Sequence, residues 1–432
     1  MPKTLKRKRT TTRHVVAFAI SALLIVGGRS VNIGAAGQAA GSGGQDYTFV
    51  TLLDSQKDGL IAARCPAINS SGTVAVTVQD PVLGSTIIIT RRDANDPTVV
   101  VANTQQVADF PTLCDNGFNA LPSDPSINEN GEVAFQGNLR RLTTRPECGT
   151  PEQRARRQGV FLGKGGPLTA IAHTINAPGG NFISEFLVAD QSVNTLGRVA
   201  FVPELDVTFD QGLFVGSRNG TFEQRFLADT PTADGFNFNN LSSRVSMNEL
   251  GQIAFESGLN NSSVSGIFLS NPDGTFKTIV DNTGALSSVG DPSLNIFGRV
   301  AFLGDRFDEN FNQIFSVNTS RGAEVTTVAE SRPGGFASFR EPSLNDLGQV
   351  AFTADVQPDP NVFITRQGVF TGANPVANKV LQAGDRYKGV PVSSVLMCAE
   401  GLNNAGQIAM IVQSENPNTF EVRTFVVRAT PR

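Results

Sequence analysis

A pattern of apolar and polar positions returns seven times along the chain. Each copy places a short apolar segment before Asn-x-x-Gly and follows it with x-Val-Ala-Phe or a close variant. Successive Asn residues are 59, 66, 54, 47, 50 and 58 residues apart. Repeats of this length are typical of propellers, solenoids and arrays rather than of unrelated domains. The Asn and Gly positions are Asn69, Gly72, Asn128, Gly131, Asn194, Gly197, Asn248, Gly251, Asn295, Gly298, Asn345, Gly348, Asn403 and Gly406.

The Asn-x-x-Gly segment predicts a tight turn between two strands. Asn is favoured at the first position of a type I turn, because its side chain bonds the backbone two residues on. Gly is favoured where the turn needs a positive φ. These Asn and Gly residues are therefore predicted to be structural. In the following strand Val and Phe share one face and Ala lies on the other, where its small size lets a neighbouring sheet approach closely.

Each unit contains two further β segments and so predicts a four-stranded blade. Residues 266–269 and the similar Gly-Val-Phe segments form the third strand, and weaker segments such as residues 276–280 form the fourth. The predicted fold is an all-β, seven-bladed β-propeller. The last unit lacks its fourth strand, and residues 47–53 match that strand in other units, so the N-terminal strand is predicted to complete the last blade and close the ring. An open β-solenoid is the alternative.

The first 37 residues have the layout of a secretory signal peptide. A basic segment precedes an apolar run over residues 15–26 that only Ser21 interrupts, and small residues follow. The run is short for a membrane span, and an uncleaved signal anchor is the alternative. The predicted organisation is a signal peptide (1–37), a flexible Gly-rich linker (38–46) and the propeller (47–432). We expect a secreted or cell-surface protein, with the periplasm as a second location, and no membrane span in the mature chain.

Removing the signal peptide changes the charge balance. The formal net charge moves from −4 to −11, because seven basic residues and no acidic residue precede Gly37. A chain this poor in Lys and Arg is a poor match for nucleic acid or an anionic membrane. With His 2, Trp 0 and Tyr 2, it also lacks the residues for a multi-His metal site or for sugar stacking. Only His173 remains after processing, and we expect it on the surface of an outer strand. The 30 Phe residues are predicted to fill the spaces between blades.

The four cysteines are interpreted as disulfides, since export is expected and no C-x-x-C spacing suggests zinc. Cys65 and Cys398 both enter the first strand of a blade, and their blades are neighbours once the ring closes. This predicts a Cys65–Cys398 bond, which leaves Cys114 to pair with Cys148.

Acidic residues recur four positions before the motif Asn. In a closed ring, equivalent positions form a circle near one mouth of the channel, so these residues predict an acidic rim. The simplest interpretation is ordinary turn residues in solvent. The functional alternatives are a Ca²⁺ site and acid–base chemistry by carboxyl groups of raised pKa. The residues at this position are Cys65, Asp124, Asp190, Arg244, Asp291, Glu341 and Ala399, of which Asp124, Asp190, Asp291 and Glu341 are the candidate metal ligands.

The repeat resembles that of bacterial exported tandem-repeat proteins of the choice-of-anchor type, which carry the pattern NxxGxxAF. It is similar, more loosely, to extracellular HAF repeats. The resemblance covers residues 47–432 and departs from the pattern at Val76 and Met410, where Phe is replaced. It implies export and a surface role, and it supplies no catalytic residues.

The leading functional hypothesis is a monomeric, non-catalytic extracellular module that binds a protein or glycan or acts as a scaffold. No cofactor is expected apart from the candidate Ca²⁺. One alternative is a propeller hydrolase or lyase that uses the carboxylate rim, with or without a cation. Another is a structural envelope or matrix protein, which predicts self-association.

Overall fold

The computed structural model describes most of the chain from residue 46 onward. The predicted signal peptide, most of the predicted linker, Cys114 and Cys148 lie outside the described residues. The described ranges are 46–62, 64–105, 115–141, 158–173, 182–186, 190–205, 211–231, 237–260, 263–322, 324–362, 364–416 and 419–432.

The chain forms seven β-sheet blades in a ring around a central channel, as the repeat predicts. The first described elements are β1 (Tyr47–Asp54) and a one-turn helix, α1 (Ser55–Asp58), which starts at an Asp54 cap and ends at Gly59. Blade one comprises β2 (Ile61–Ala62), β3 (Ala67–Ile68), β4 (Val74–Asp80), β5 (Ser85–Arg91) and β6 (Val99–Asn103). Blade two comprises β7 (Asp115–Ala120), β8 (Ser126–Ile127), β9 (Val133–Arg141), β10 (Gln158–Gly163) and β11 (Thr169–His173).

The next two blades repeat this order from the channel outward. Blade three comprises β12 (Phe182–Phe186), β13 (Ser192–Val193), β14 (Val199–Phe201), β15 (Pro203–Leu205), β16 (Gly212–Gly216) and β17 (Phe222–Leu227). Blade four comprises β18 (Phe238–Met247), β19 (Ile253–Leu259), β20 (Ser265–Ser270) and β21 (Phe276–Asp281).

The last three blades complete the ring. Blade five comprises β22 (Ser288–Leu294), β23 (Val300–Phe307), β24 (Gln313–Arg321) and β25 (Glu324–Glu330). Blade six comprises β26 (Phe336–Leu344), β27 (Val350–Val356), β28 (Arg366–Phe370) and β29 (Lys379–Gln382). A small hairpin, β30 (Arg386–Tyr387) and β31 (Val390–Pro391), precedes blade seven, which comprises β32 (Ser394–Leu396), β33 (Ile408–Glu415) and β34 (Val422–Pro431).

The ring closes through the N-terminal strand, as predicted. β1 pairs antiparallel with β34 from Tyr47 opposite Pro431 to Asp54 opposite Phe425, and so becomes the outer strand of blade seven. Arg423 fixes the far end of this pairing by donating hydrogen bonds of 2.9 and 2.6 Å to the Asp54 carboxylate. The Cys65–Cys398 disulfide, also predicted, joins blades seven and one on the channel side. We call this closure of the ring between blades seven and one the seam. The disulfide holds it on the channel side, and the β1–β34 pairing holds it on the outer side.

Each motif forms the tight turn that its spacing predicts. The Gly residues have φ between 71° and 81°, and each Gly N–H donates to the Asn carbonyl at 2.9–3.1 Å. The Asn Oδ1 atom accepts from the N–H four residues on at 2.9–3.1 Å in all seven copies. The bond to the second residue, which the sequence suggested, accompanies it in only some copies, among them the turn of Asn295.

The other end of the Asn side chain links the blades. Its Nδ2 donates to the backbone carbonyl of the Asn in the next blade at 2.8–3.2 Å. The series continues across the seam, where Asn403 donates to Asn69 at 2.8 Å. Asn194 is the exception in the described part of the chain, because its Nδ2 is buried without a hydrogen-bond partner. This inter-blade role was not expected from the turn alone.

The spaces between blades are filled by one recurring contact. The motif Ala of each blade packs against the residues at the motif Val and Phe positions of the next, as Ala75 packs with Val133 and Phe135. The same cluster recurs at each junction of the ring, and at the seam Ala409 packs with Val74 and Val76. Every side chain in the group of largest fully buried residues is a Phe. The strand pattern therefore encodes how blades pack as well as how they form.

The inter-blade bond can be measured by replacing Asn with Asp, which keeps the Oδ1 acceptor and removes the donor. In the wild type, the Asn345 carbonyl accepts a hydrogen bond from Asn295 Nδ2 at 3.2 Å. In Asn295→Asp, a carboxylate oxygen faces this carbonyl instead. We expect a loss of about 1–3 kcal/mol in the free energy of unfolding, because a buried acceptor loses its donor. The matched control is Asn194→Asp, where no donor bond is lost. Urea unfolding that gives equal losses for the two variants would contradict this role.

Candidate functional site

The channel has two mouths of different character. Because each blade is an antiparallel sheet, the turns after its first and third strands lie at one end and the remaining connections at the other. We call the end that carries the Asn-x-x-Gly turns the turn face and the opposite end the rim face. Asp291 and Glu341 lie on the innermost strands of their blades, and Asp124 and Asp190 lie two residues before theirs, all on the rim side of the Asn ring.

A buried arginine occupies the centre of the predicted acidic rim. Arg244 Nε and Nη2 donate to one Asp190 oxygen at 2.9 and 2.8 Å, and Nη2 also donates to Glu341 at 3.0 Å. Its Nη1 lies 3.7 Å from Asp291. The structure therefore brings three of the four predicted metal ligands together, around a guanidinium. We call Asp124, Asp190, Arg244, Asp291 and Glu341 the channel cluster.

The backbone is bent to place two of these carboxylates. Asp291 and Glu341 have φ of 51° and 47°, the left-handed region that residues with a Cβ rarely adopt. Both lie at register shifts in which the first strand bulges relative to the second. Such a conformation costs on the order of 1 kcal/mol, so the contacts with Arg244 offset local strain.

Burial and mutual repulsion raise the pKa of several carboxyl groups in the cluster. For Asp124, burial and the charges of Asp190 and Glu341 raise the pKa to about 7. Burial also raises the pKa of Glu341, although Arg244 opposes the change. Burial alone would lower the pKa of Arg244, but its carboxylate partners raise it well above the ordinary value. Arg244 is therefore always charged, and Asp124 gains or loses a proton near neutral pH.

Glu256 belongs to this site, although the spacing of the acidic residues in the repeat does not predict it. It lies on β19 and accepts a hydrogen bond from the Asp291 N–H, and burial raises its pKa to about 7. It approaches the backbone closely, since a Cβ on Gly290 would lie 3.3 Å from its Oε2. The available signal was position, because Glu256 is the single charged residue that directly follows any of the seven repeats.

Glu400 lies deeper in the channel and completes a second ring of hydrogen bonds. In five repeats a Ser hydroxyl two residues before the Asn accepts from the backbone N–H of the next blade at 3.0–3.1 Å. Blade one has Ala67 there, and the Glu400 carboxyl group takes over by accepting from the Ile127 N–H. It also accepts from the hydroxyls of Ser126 at 2.9 Å and Ser192 at 3.3 Å. Burial raises its pKa to about 7.

The disulfide borders the same space. Sγ of Cys65, Sγ of Cys398 and a carboxylate oxygen of Asp124 lie within 4.8 Å of one another. The two sulfurs are bonded to each other and offer no thiolate to a metal. The space among these side chains is about 30 Å³, which suits one or two water molecules. Ca²⁺ binding by Asp124, Asp190, Asp291 and Glu341 stays a prediction, and the ion has to compete there with Arg244.

His173 lies on the outer strand of blade two, as expected, but its side chain is buried. The expectation of a surface residue is therefore wrong. Its strand is covered by the neighbouring blade, since Ile171 and Ala172 pack with Val199 and Phe201 of blade three. His173 is also remote from the channel cluster, because β11 is the outermost strand of its sheet.

On the turn face the channel opens into a recess of about 240 Å³. In six of the seven repeats the residue after the motif Asn lines it, and three of these residues are Glu129, Glu249 and Asp346. Each carboxylate is held by a neighbouring blade: Ser70 N–H donates to Glu129 at 3.0 Å, Thr195 N–H to Glu249 at 2.9 Å, and Ile296 N–H to Asp346 at 2.8 Å. Within the described residues, no Lys or Arg pairs with these three carboxylates.

Large apolar side chains are exposed on neighbouring turns of the same face. Leu196, Leu250, Phe297 and Leu347 occupy the second position after the motif Asn in blades three to six, and each is 62–76% exposed. Their turns are contiguous, because a hydrogen bond of 2.9–3.2 Å joins each to the next. We call these four residues the apolar arc. The Asn-x-x-Gly pattern predicts for this position only that it belongs to a turn.

These features define the protein as a closed seven-bladed β-propeller built on an Asn-x-x-Gly turn repeat. The chain belongs to a family described as a family of unknown function (DUF7453), whose model matches residues 68–424. No curated protein matches the sequence. The described residues contain no helix long and apolar enough to cross a membrane.

Solved structures with a similar fold are distant in sequence. A prolyl endopeptidase is 10% identical with a TM-score of 0.48; the match covers 89% of this chain and 51% of that one, so the chain spans about half its length. The β-propeller domain of the Trilobed protease from Pyrococcus furiosus is 10% identical over 88% of this chain and 94% of that chain, with a TM-score of 0.46. Oligogalacturonate lyase from Vibrio parahaemolyticus is 11% identical over 72% and 95%, with a TM-score of 0.36. These likenesses concern the fold alone.

Glu400→Gln tests the buried carboxyl group through the pH dependence of stability. In the folded protein the pKa of Glu400 is raised from 4.5 to about 7, so the folded state keeps a proton that the unfolded chain releases. Stability contributed by this proton is complete below pH 4.5 and is lost as the pH rises to about 7. We expect the variant to gain on the order of 1–3 kcal/mol relative to the wild type between pH 5 and 8. Thermal unfolding at several pH values measures this, and a difference that is constant with pH would refute it.

Arg244→Met tests the cation of the channel cluster. Without the guanidinium, Asp190, Asp291 and Glu341 face one another uncompensated, and we expect a loss of about 3–5 kcal/mol at pH 8. Millimolar Ca²⁺ should restore part of the melting temperature, since carboxylate oxygens are its preferred ligands. The control is Arg340→Met, which breaks the exposed pair with Asp355 and should cost less than about 1 kcal/mol. Equal melting temperatures for the two variants would contradict the central role of Arg244.

Proposed function

We propose that the protein is an exported, non-catalytic binding module and that it binds its partner on the turn face. The observation that carries this proposal is the apolar arc. Four large apolar side chains on consecutive blades are exposed beside an open recess, in a turn position that elsewhere in the ring holds Ser71, Asn130 or Ala405. Exposed apolar patches on a soluble domain are typical of interaction sites.

The channel cluster supports binding rather than catalysis. Asp190 and Glu341 are engaged by Arg244, and the space that Asp124, Asp190 and Arg244 border is about 30 Å³. A hydrolase or lyase needs room for the reacting bond beside its acid and base. The cluster fits a role in holding blades two to six together at the channel.

Export is supported by the N-terminal signal pattern and by the disulfide. Cys65 and Cys398 are buried and bonded to each other, and such bonds persist in oxidising compartments. In the proposed mature chain the charge of −11 favours solubility, which suits a module that meets its partner outside the cell.

The proposal is tested by capture experiments with two sets of substitutions. The arc variant carries Leu196→Ser, Leu250→Ser, Phe297→Ser and Leu347→Ser. The control variant carries Val82→Ser, Leu83→Ser, Phe311→Ser and Phe420→Ser, which are 58–89% exposed at hairpin tips on the rim face. Full-length protein of each kind is immobilised and exposed to envelope and culture-medium fractions of the producing cells, and the retained material is quantified.

We expect the arc variant to lose about nine tenths of the material that the wild type retains, because its apolar contacts are removed, and the control variant to retain it. Equal melting temperatures show that both variants are folded. Loss in the control variant alone, or in neither variant, would overturn the turn face as the binding surface. Release of modified substrate by the wild type would favour the enzyme alternative.

A further inference from the structure

The recess beside the apolar arc has a charge that no described residue neutralises. Glu129, Glu249 and Asp346 surround it, and each is fixed by hydrogen bonds from the neighbouring blade. Asp346 accepts a second bond from Asn404 Nδ2 at 2.7 Å. These bonds hold the carboxylates in place without supplying a positive charge, in contrast to the channel cluster, where Arg244 supplies one.

Apolar surface continues from the arc into the recess. Ile296 and Leu294 line its wall beside Asp346, and Phe297 and Leu347 stand at its edge on the next residue of the same turns. A ligand bound here meets carboxylates around the recess and apolar side chains along one side. A cation carried on an apolar body satisfies both, because long basic side chains bury their methylene groups and keep the charged end in a polar site.

A bare metal ion fits the recess less well. The three carboxylates come from blades two, four and six and are spread around the mouth. Among the described residues, Cys65, Asp124 and Cys398 are the three potential metal ligands whose atoms lie within 4.8 Å of one another. The three carboxylates of the recess do not form such a group. A glycan also fits less well, since the arc has a single aromatic ring, Phe297, and aliphatic surface otherwise.

We infer that the partner is a polypeptide segment that places a Lys or Arg side chain in the acidic recess and its apolar neighbours on the arc. This inference rests on the proposed function and specifies the chemistry of the partner. The recess supplies charge selectivity, and the arc supplies most of the binding energy, as is usual for buried apolar contacts beside a charged pair.

The inference is tested with three pools of fluorescent decapeptides that share the same mixture of apolar flanking residues. Their central residue is Lys, Gln or Glu. Binding to the full-length protein is followed by fluorescence anisotropy at low and high salt. We expect the Lys pool to bind about tenfold more tightly than the Glu pool, with the difference shrinking in 0.5 M salt because screening weakens the charge contact.

Two pairs of substitutions with the same change in charge locate the selectivity. Glu249→Gln with Asp346→Asn keeps the side-chain acceptors for Thr195 and Ile296 and removes two charges from the recess. Glu309→Gln with Glu421→Gln removes two charges from exposed loops on the rim face. We expect the first pair to reduce the preference for Lys to less than about threefold and the second pair to preserve it.

The outcomes separate this inference from the proposed function. If the Gln or Glu pool binds as well as the Lys pool, or no pool binds, the inference of a basic partner segment is overturned. The proposed binding function survives that result if capture from cell fractions still depends on the arc. If capture does not depend on the arc, the proposed function fails too. If sedimentation velocity shows a dimer that the arc variant loses, the occupant is a second copy of this chain and the inference is overturned.

Discussion

The amide side chain of the motif Asn is the contact on which the ring depends. One atom closes the turn of its own blade, and another bonds the equivalent turn of the next blade. The turn and the blade junction are therefore made by the same residue. Outside this ring the Ala of one blade meets the Val and Phe of the next, so the polar contact near the channel and the apolar contact farther out are fixed by a single ten-residue pattern.

The fold was predictable because its information is local and repeated. Strand alternation, the Asn-x-x-Gly turns and the missing fourth strand of blade seven together indicate seven blades and closure through β1. The Cys65–Cys398 bond followed from the order of the blades. The inter-blade hydrogen bond of the Asn side chain was not predictable from the turn, because its acceptor is set by the position of the next blade.

The sequence predicted where the acidic residues of the channel lie, but not which residues they bond. Spacing placed Asp190, Asp291 and Glu341 on a common circle, but the pairing of these residues with Arg244 depends on side-chain directions that bulges in the first strands alter. Glu400 directly follows Ala399 in the chain, and the spacing of the repeat does not predict that it replaces a hydroxyl that blade one lacks. The apolar arc was visible in the sequence, but only the structure shows that those residues are exposed and contiguous.

The direction of the Asn bonds has a further consequence. Every motif Asn except Asn194 donates to the blade that follows it, and Asn403 donates to Asn69 in the same way across the seam. The junction between blades seven and one is therefore made by the same polar bond as most of the others, and the β1–β34 pairing and the disulfide are added beside it. A circularly permuted chain, opened between two other blades and joined across the present seam, retains every contact of the ring.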